Sequence, residues 1–288
     1  MQPLFDQDLI VVRKKRALAQ AVPGAAFLAE RIGEDLADRL AAVERRFADA
    51  VALHCVTDHA AEALAASGKV GRVTRVEADA AFLGGGAGLV APPDRVPLAP
   101  ESVDLAVSVL SLHEANDVPG QLIQIRRSLR PDGLFLGAMA GGGTLAELRD
   151  SLLAAETEVS GGAAPRVMPF ADVREAGALL QRAGFALPVA DVDTITVRYD
   201  SMFGLLRDLR AMGATSALSE RSRRPARRAL FRRAAEIYAE RHADADGRVR
   251  ATFSIVWLSG WAPHDSQQKP LRPGSATASL KRFLEEGG

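Results

Sequence analysis

Three groups of residues in this chain could do chemistry. His54, Cys55, Asp58 and His59 crowd into one short stretch, where a metal site or a reactive thiol between imidazoles can be imagined. Their spacing matches no standard ligand pattern, so no metal is expected, and surface or capping roles compete. Asp58 reads as the N-cap of a following helix. Only histidines flank Cys55, too little to lower its pKa, which favours a buried cysteine at a strand end. His113 follows an apolar run, Val103 to Leu110. Imidazole titrates near neutrality, so His113 could work as an acid or base, or simply fix a turn by hydrogen bonding. The third group is glycine-rich. Gly84-Gly85-Gly86-Ala87-Gly88 lacks the Lys-Ser/Thr of a phosphate loop and opens no helix, so it reads as a flexible connection. Gly141-Gly142-Gly143 fits close packing or substrate access.

The densest charge run is Arg221-Ser222-Arg223-Arg224-Pro225-Ala226-Arg227-Arg228, continuing to Arg232 and Arg233. It is either a solvated helix start, with Leu230 and Ile237 turned inward, or a docking face for an acidic partner or membrane surface. Lys269-Pro270-Leu271-Arg272-Pro273 could extend the same face.

Positioning these groups takes a particular set of elements. Leu28, Ile32, Leu36 and Leu40 recur at helical spacing, which predicts a helical region over residues 1–46. Short apolar runs at 50–55, 70–76, 89–90, 103–110 and 134–139 read as strands, with helices at about 58–67 and 118–129 between them. Pro131-Asp132-Gly133 marks a turn before the strand at Leu134. This alternation predicts a parallel sheet with ligands beyond the carboxyl ends of its strands. Further helices are expected at 145–158 and 171–183, a strand at 193–197, a helical insertion over about 201–250 and a final strand at 252–261. The main domain is thus placed at 47–262, with an irregular tail at 263–288.

Composition narrows the classes. The 288 residues balance 36 basic against 36 acidic side chains, which argues against bulk attraction to nucleic acid. With 5% aromatics no base-stacking platform is present. One cysteine rules out an internal disulfide and fits a reducing compartment. With no export signal, transit-peptide pattern or apolar run of membrane-spanning length, the expected location is the cytoplasm, with peripheral membrane contact still open.

Several segments resemble a known family. Asp104 to His113, followed by Leu129-Arg130-Pro131-Asp132-Gly133-Leu134-Phe135, resembles the middle of class I S-adenosylmethionine methyltransferases. A more specific similarity, to the complex I assembly factor 5 family, rests on segments spread over the chain. They include Leu4-Phe5-Asp6, Thr144 to Arg149, Leu209-Arg210-Ala211-Met212-Gly213, His264-Asp265-Ser266-Gln267 and Gly274-Ser275-Ala276-Thr277. The resemblance implies an α/β, Rossmann-like fold with a seven-stranded, mostly parallel sheet whose last strand runs antiparallel. It also implies an S-adenosylmethionine site built from His54, Cys55, Val56, Asp58, Asp79, Ser111, Leu112 and His113. The implied partner is a protein substrate or client, an NADH dehydrogenase subunit; the charge run supplies Arg221, Arg223, Arg224, Arg227 and Arg228 as the candidate docking residues.

The chain departs from the family pattern where the cofactor should bind. The family's Asp-Leu-Gly-Cys-Gly-x-Gly loop aligns with Ala52-Leu53-His54-Cys55-Val56-Thr57-Asp58. All three glycine positions are filled, although glycine there permits φ > 0 and close approach of the backbone to a ligand. Val56 is the worst replacement, because a β-branched residue is disfavoured at positive φ. The acidic position near the adenine falls at Pro92, with Asp94 two residues on. After the second strand both Glu77 and Asp79 could meet the ribose hydroxyls, and Asp79 aligns better. Hydrogen bonds to charged groups are worth about 1.5–3 kcal/mol each. The combined losses predict affinity weakened by a factor on the order of a thousand. Three functions follow from the resemblance: methyl transfer, a non-catalytic assembly factor with a vestigial cofactor site, and protein-arginine hydroxylation.

Overall fold

The computed structural model describes residues 3–162, 164–222 and 225–268. Two helices open the chain, α1 (Gln7–Gln20) and α2 (Phe27–Ala41). Asp6 caps α1 by accepting from the Leu9 amide at 3.1 Å. The sheet then builds from β1 (Phe47–Leu53), β2 (Val70–Glu77), β3 (Leu89–Val90), β4 (Val103–Val109), β5 (Leu129–Ala140), β6 (Ala186–Tyr199) and β7 (Val249–Trp261). Between strands lie α3 (His59–Ala66), α4 (Val118–Ser128), α5 (Ala146–Ser160), α6 (Val173–Arg182), α7 (Met202–Ala211) and α8 (Arg228–His242).

The seven strands lie in the order β3-β2-β1-β4-β5-β7-β6. β1 to β5 run parallel, and β7 enters antiparallel between β5 and β6. The sheet reverses its winding between β1 and β4, which is where doubly wound folds open a crevice for ligands. Both faces are covered, so β1 and β4 are apolar along nearly their whole length rather than alternating. One apolar core packs α2, α5, α7 and α8 against one face of the sheet, with Trp257, Phe47 and Tyr238 its largest buried members. A second core packs α4 and α6 on the other face. Leu28, Ile32, Leu36 and Leu40 all point into the first core, as their spacing predicts, and so do Leu230 and Ile237 of α8.

Two elements differ from the sequence expectation. β5 begins at Leu129, five residues before the expected start, and runs through Pro131-Asp132-Gly133. A register irregularity against β4 absorbs the turn residues, and Asp132 takes φ +63° there. β6 is also far longer than the expected 193–197. It pairs with β7 from Ala186 to Tyr199, and its outer edge is exposed, so its solvated residues dilute the apolar signal. Most of the expected irregular tail, including Lys269 to Pro273, lies outside the described residues.

Candidate functional site

The crevice lies where β1, β2 and β4 end. The turn after β1 keeps a glycine-like backbone without glycines: His54 has φ +52° and Val56 φ +64°. Each such residue stores strain on the order of 1–3 kcal/mol. What holds the turn is a buried carboxylate. Glu77, the last residue of β2 and fully buried, accepts from the Val56 amide at 3.0 Å and from Arg75 Nη2 at 3.1 Å. Burial nevertheless dominates, pushing the Glu77 carboxyl up to about 7, with the Val56 amide and Arg75 pulling against it.

Glu77, not Asp79, therefore takes the acidic position after the second strand. Asp79 opens the short 3-10 turn Ala80–Leu83, accepts from the Ala81 amide at 2.9 Å and pairs with Lys15 at 2.7 Å on the surface. The physical reason is the length of β2: it extends to Glu77, whose side chain turns inward, while the chain turns away at Ala78. Asp94 and the Pro92 position lie in the stretch after β3, and the carbonyls of Pro93 and Asp94 accept from Gln121 and Gln124.

The other expected residues are brought to the same edge with distinct roles. His54 turns its Nε2 to the Arg95 carbonyl at 3.1 Å, and burial lowers its pKa. Cys55 is buried, and burial first, then the Glu77 charge, push its thiol up to about 12, so it is no thiolate at neutral pH. Asp58 precedes α3 but makes no side-chain capping bond, and His59 lies 3.8 Å from Glu30. Among the described residues no group of three His, Cys, Asp or Glu side chains gathers at metal-binding distance. Leu112 is buried, and the Ser111 and Ser108 hydroxyls meet at 2.8 Å. His113 Nδ1 accepts from the Ala140 amide at 3.3 Å, which leaves the ring proton on Nε2. Burial drives its pKa down to about 4. At neutral pH His113 is a neutral hydrogen-bond donor, not a poised base.

Residues distant in sequence complete the site. Lys14 of α1 pairs with Glu114, both nearly buried, and Gln7 donates to the Glu114 carbonyl at 2.7 Å. α1 is held over the strand ends from its other side as well. Arg13 donates to the carbonyls of Thr215 and Ser216, and Phe5 bridges Leu218. The Met212-Gly213 turn explains one motif: Gly213 has φ +74°, and a Cβ there would sit 2.9 Å from the Lys14 Cα. Nothing in the spacing announced Lys14 with Glu114, because they lie 100 positions apart and meet only in space.

Two spaces result. Between Lys14, His54, Val56, Glu77 and Ser111 only about 30 Å³ remains. On the other side of the Val56 turn a cavity of about 620 Å³ opens under α1, α2, α5 and α7, with His113, Cys55 and Val56 in its wall. Of the expected docking arginines, Arg221 is tied to Asp6 at 3.0 Å and lines this cavity. Arg227 and Arg228 are exposed at the start of α8, whereas Arg223 and Arg224 lie outside the described residues.

Residues 51–137 match the model of a methyltransferase domain. A methyltransferase structure from Bacillus halodurans shares the fold at TM-score 0.55, with 14% identity over 80% of this chain and 100% of that one. The YcgJ protein of Bacillus subtilis does so at 0.54, with 13% identity over 80% of this chain and 99% of its own. The arginine-hydroxylase NDUFAF5 of Danio rerio is 39% identical over 268 residues, 91% of this chain and 83% of the relative. Its Homo sapiens counterpart is 38% identical over 290 residues, 96% and 82% of the two chains. These relatives are mitochondrial proteins and overturn the cytoplasmic location expected from the sequence. With such identity over nine-tenths or more of its length, the chain belongs to the NDUFAF5 family, and its fold is that of class I methyltransferases.

Proposed function

We propose that this chain serves NADH dehydrogenase assembly as a client-binding module whose inherited S-adenosylmethionine site is closed by its own side chains. One observation carries this reading: about 30 Å³ is left beside Glu77, room for about one water. Ligand sites run to about 300–1,000 Å³. The residues present do not fit the cofactor. Glu77, which would face the ribose, is spent on the Val56 amide and Arg75, and Lys14 with Glu114 spans the gap. The neighbouring cavity shares Lys14, Val56 and Glu114 with this space and also holds Cys55 and His113, but Glu77 is not in its wall. The client would meet Arg227 and Arg228, two exposed members of the basic run.

The test is calorimetric titration with S-adenosylmethionine up to about 1 mM. No heat of binding is expected, and a Kd tighter than about 50 μM would overturn the closed-site reading. Recovery of NADH dehydrogenase subunits should fall on the double change Arg227→Glu with Arg228→Glu, and unchanged recovery would remove those residues from the docking face. Methyl transfer remains the second reading because the turn at 54–56 keeps its positive φ values and Glu77 keeps its place.

A further inference from the structure

The two spaces at the strand ends are halves of one cleft, and α1 walls both. Gln7, Ile10 and Val11 face the small space beside Glu77, while Arg13, Ala17 and Leu18 face the cavity of about 620 Å³. Lys14, Val56 and Glu114 line both, so the Lys14–Glu114 pair stands where the halves meet.

Helix α1 is attached differently from its neighbour α2. Among the described residues, none of α1 belongs to either core that flanks the sheet, whereas α2 commits Leu28, Ile32, Leu36 and Leu40 to one of them. The apolar anchorage of α1 is a small separate cluster, in which Phe5 and Ile10 meet Met168, Ala217 and Leu218. Little apolar burial therefore opposes its lifting. The other ties are polar and reach distant parts of the chain. Arg13 donates to the carbonyls of Thr215 and Ser216, Lys14 pairs with Glu114, and Lys15 pairs with Asp79 at 2.7 Å. Just before the helix, the Phe5 amide and carbonyl meet the Asn116 side chain at 2.8 and 3.0 Å. Water can replace the partners of such ties when they break. The opposite end of α1 has the makings of a hinge. Residues 21–24 are exposed, Ala21 sits at φ +45° and Gly24 at φ +75°, and a Cβ at Gly24 would meet nothing within 4 Å.

Building on the closed-site reading above, we propose that α1 is a hinged strap that swings out about residues 21–24, parts Lys14 from Glu114 and joins the two spaces into one cleft. Closure then belongs to a movable helix rather than to the fixed sheet edge, and binding at this edge is conditional on its release.

Cys55, the chain's only cysteine, is the reporter, because it is buried in the cavity wall. Dithiobis-nitrobenzoate, a bulky thiol reagent, labels it when the strap is out, and peptide mass assigns the label. On the unaltered chain, labelling in dilute urea should depend on urea far less than global unfolding does, since lifting one helix exposes little surface. Phe5→Cys with Leu218→Cys locks the strap. The two residues lie opposite each other in an antiparallel bridge, flanked by hydrogen bonds from Asp6 to Ala217 and from Ser219 to Leu4 at 2.9 Å. Their Cα atoms are then about 4.5 Å apart, which a disulfide spans. The oxidised variant should label at Cys55 about tenfold or more slower than the same variant reduced. Arg13→Ala, which removes two ties, should label about tenfold faster than the unaltered chain. Labelling that tracks global unfolding at every urea concentration overturns the proposal, and so does a rate that ignores the lock or Arg13→Ala. The urea dependence of the unaltered chain decides the matter even if the double variant fails to fold. Titration with S-adenosylmethionine judges the closed-site reading separately, so binding there would remove that reading while the labelling rates still judge the strap.

Discussion

Two spaces share the wall made by Val56, and they have opposite characters. On the β2 side the strand ends are packed with paired polar groups: Lys14 with Glu114, Arg75 and the Val56 amide with Glu77, His54 with the Arg95 carbonyl, while His54 Nδ1 and Arg75 Nε are buried without a hydrogen-bond partner among the described residues. On the α5 side lies an aliphatic cavity of about 620 Å³ with surplus positive charge at its edge. The lesson is that a fold can keep its backbone path at such a turn while the side chains around that path change. The loop has glycine-type φ values at His54 and Val56, positions where these residues carry side chains that glycine lacks.

The sharpest way to break this comparison is to unpair the polar side. Glu114→Gln would leave the Lys14 ammonium nearly buried without its partner, a loss of about 3–5 kcal/mol by urea unfolding. A loss under about 1 kcal/mol would mean that water reaches this pair and that the region is not closed.

Glu77 gives the next largest effect and it depends on pH. Folding raises its carboxyl to about 7, above its ordinary value, so the folded chain binds this proton more tightly than the unfolded one. Its stabilising contribution is complete below the unfolded value and is lost as pH rises through about 7. Relative to Glu77→Gln, the unaltered protein should therefore lose on the order of 2–3 kcal/mol between about pH 5 and 7.5. Parallel melting curves for the two proteins across that range would place Glu77 in contact with water.

Val56→Gly probes the wall itself. Relief of strain at φ +64° outweighs the loss of a half-buried side chain, so a gain of about 1 kcal/mol is expected in thermal unfolding. A clear destabilisation would show that the valine packing, rather than the backbone conformation, is what the turn has optimised. The smallest effect belongs to the surface: Arg232→Ala removes an exposed pair with Glu236 and should change stability by no more than about 0.5 kcal/mol. A larger change would mean that this exposed pair contributes to the stability of the fold.

Much of the architecture was legible because burial leaves a period. Val103–Val109 is apolar at nearly every position, as a strand covered on both faces must be, and α2 repeats its leucines at helical spacing. β6 was legible only in part, since an edge strand mixes exposed and buried positions. At the site, Cys55 anchored the loop and showed its glycines to be missing, and Val56 does sit at the positive φ that made it the poorest replacement. Glu77 and Asp79 were harder to rank, because the choice depends on where β2 stops, a boundary fixed by pairing with β1 and β3.

The sequence by itself determined the order of strands and helices, the loss of the glycine loop, and a net charge of zero that hides a basic segment. These follow from local propensity, from the solvation of side chains and from simple counting. Only the tertiary structure decided that Lys14 meets Glu114, that Arg13 reaches the 215–216 carbonyls, and that α1 closes one space while roofing another. Those contacts join residues 100 or more positions apart, so no local pattern encodes them, and they arise only when the helices pack against the finished sheet.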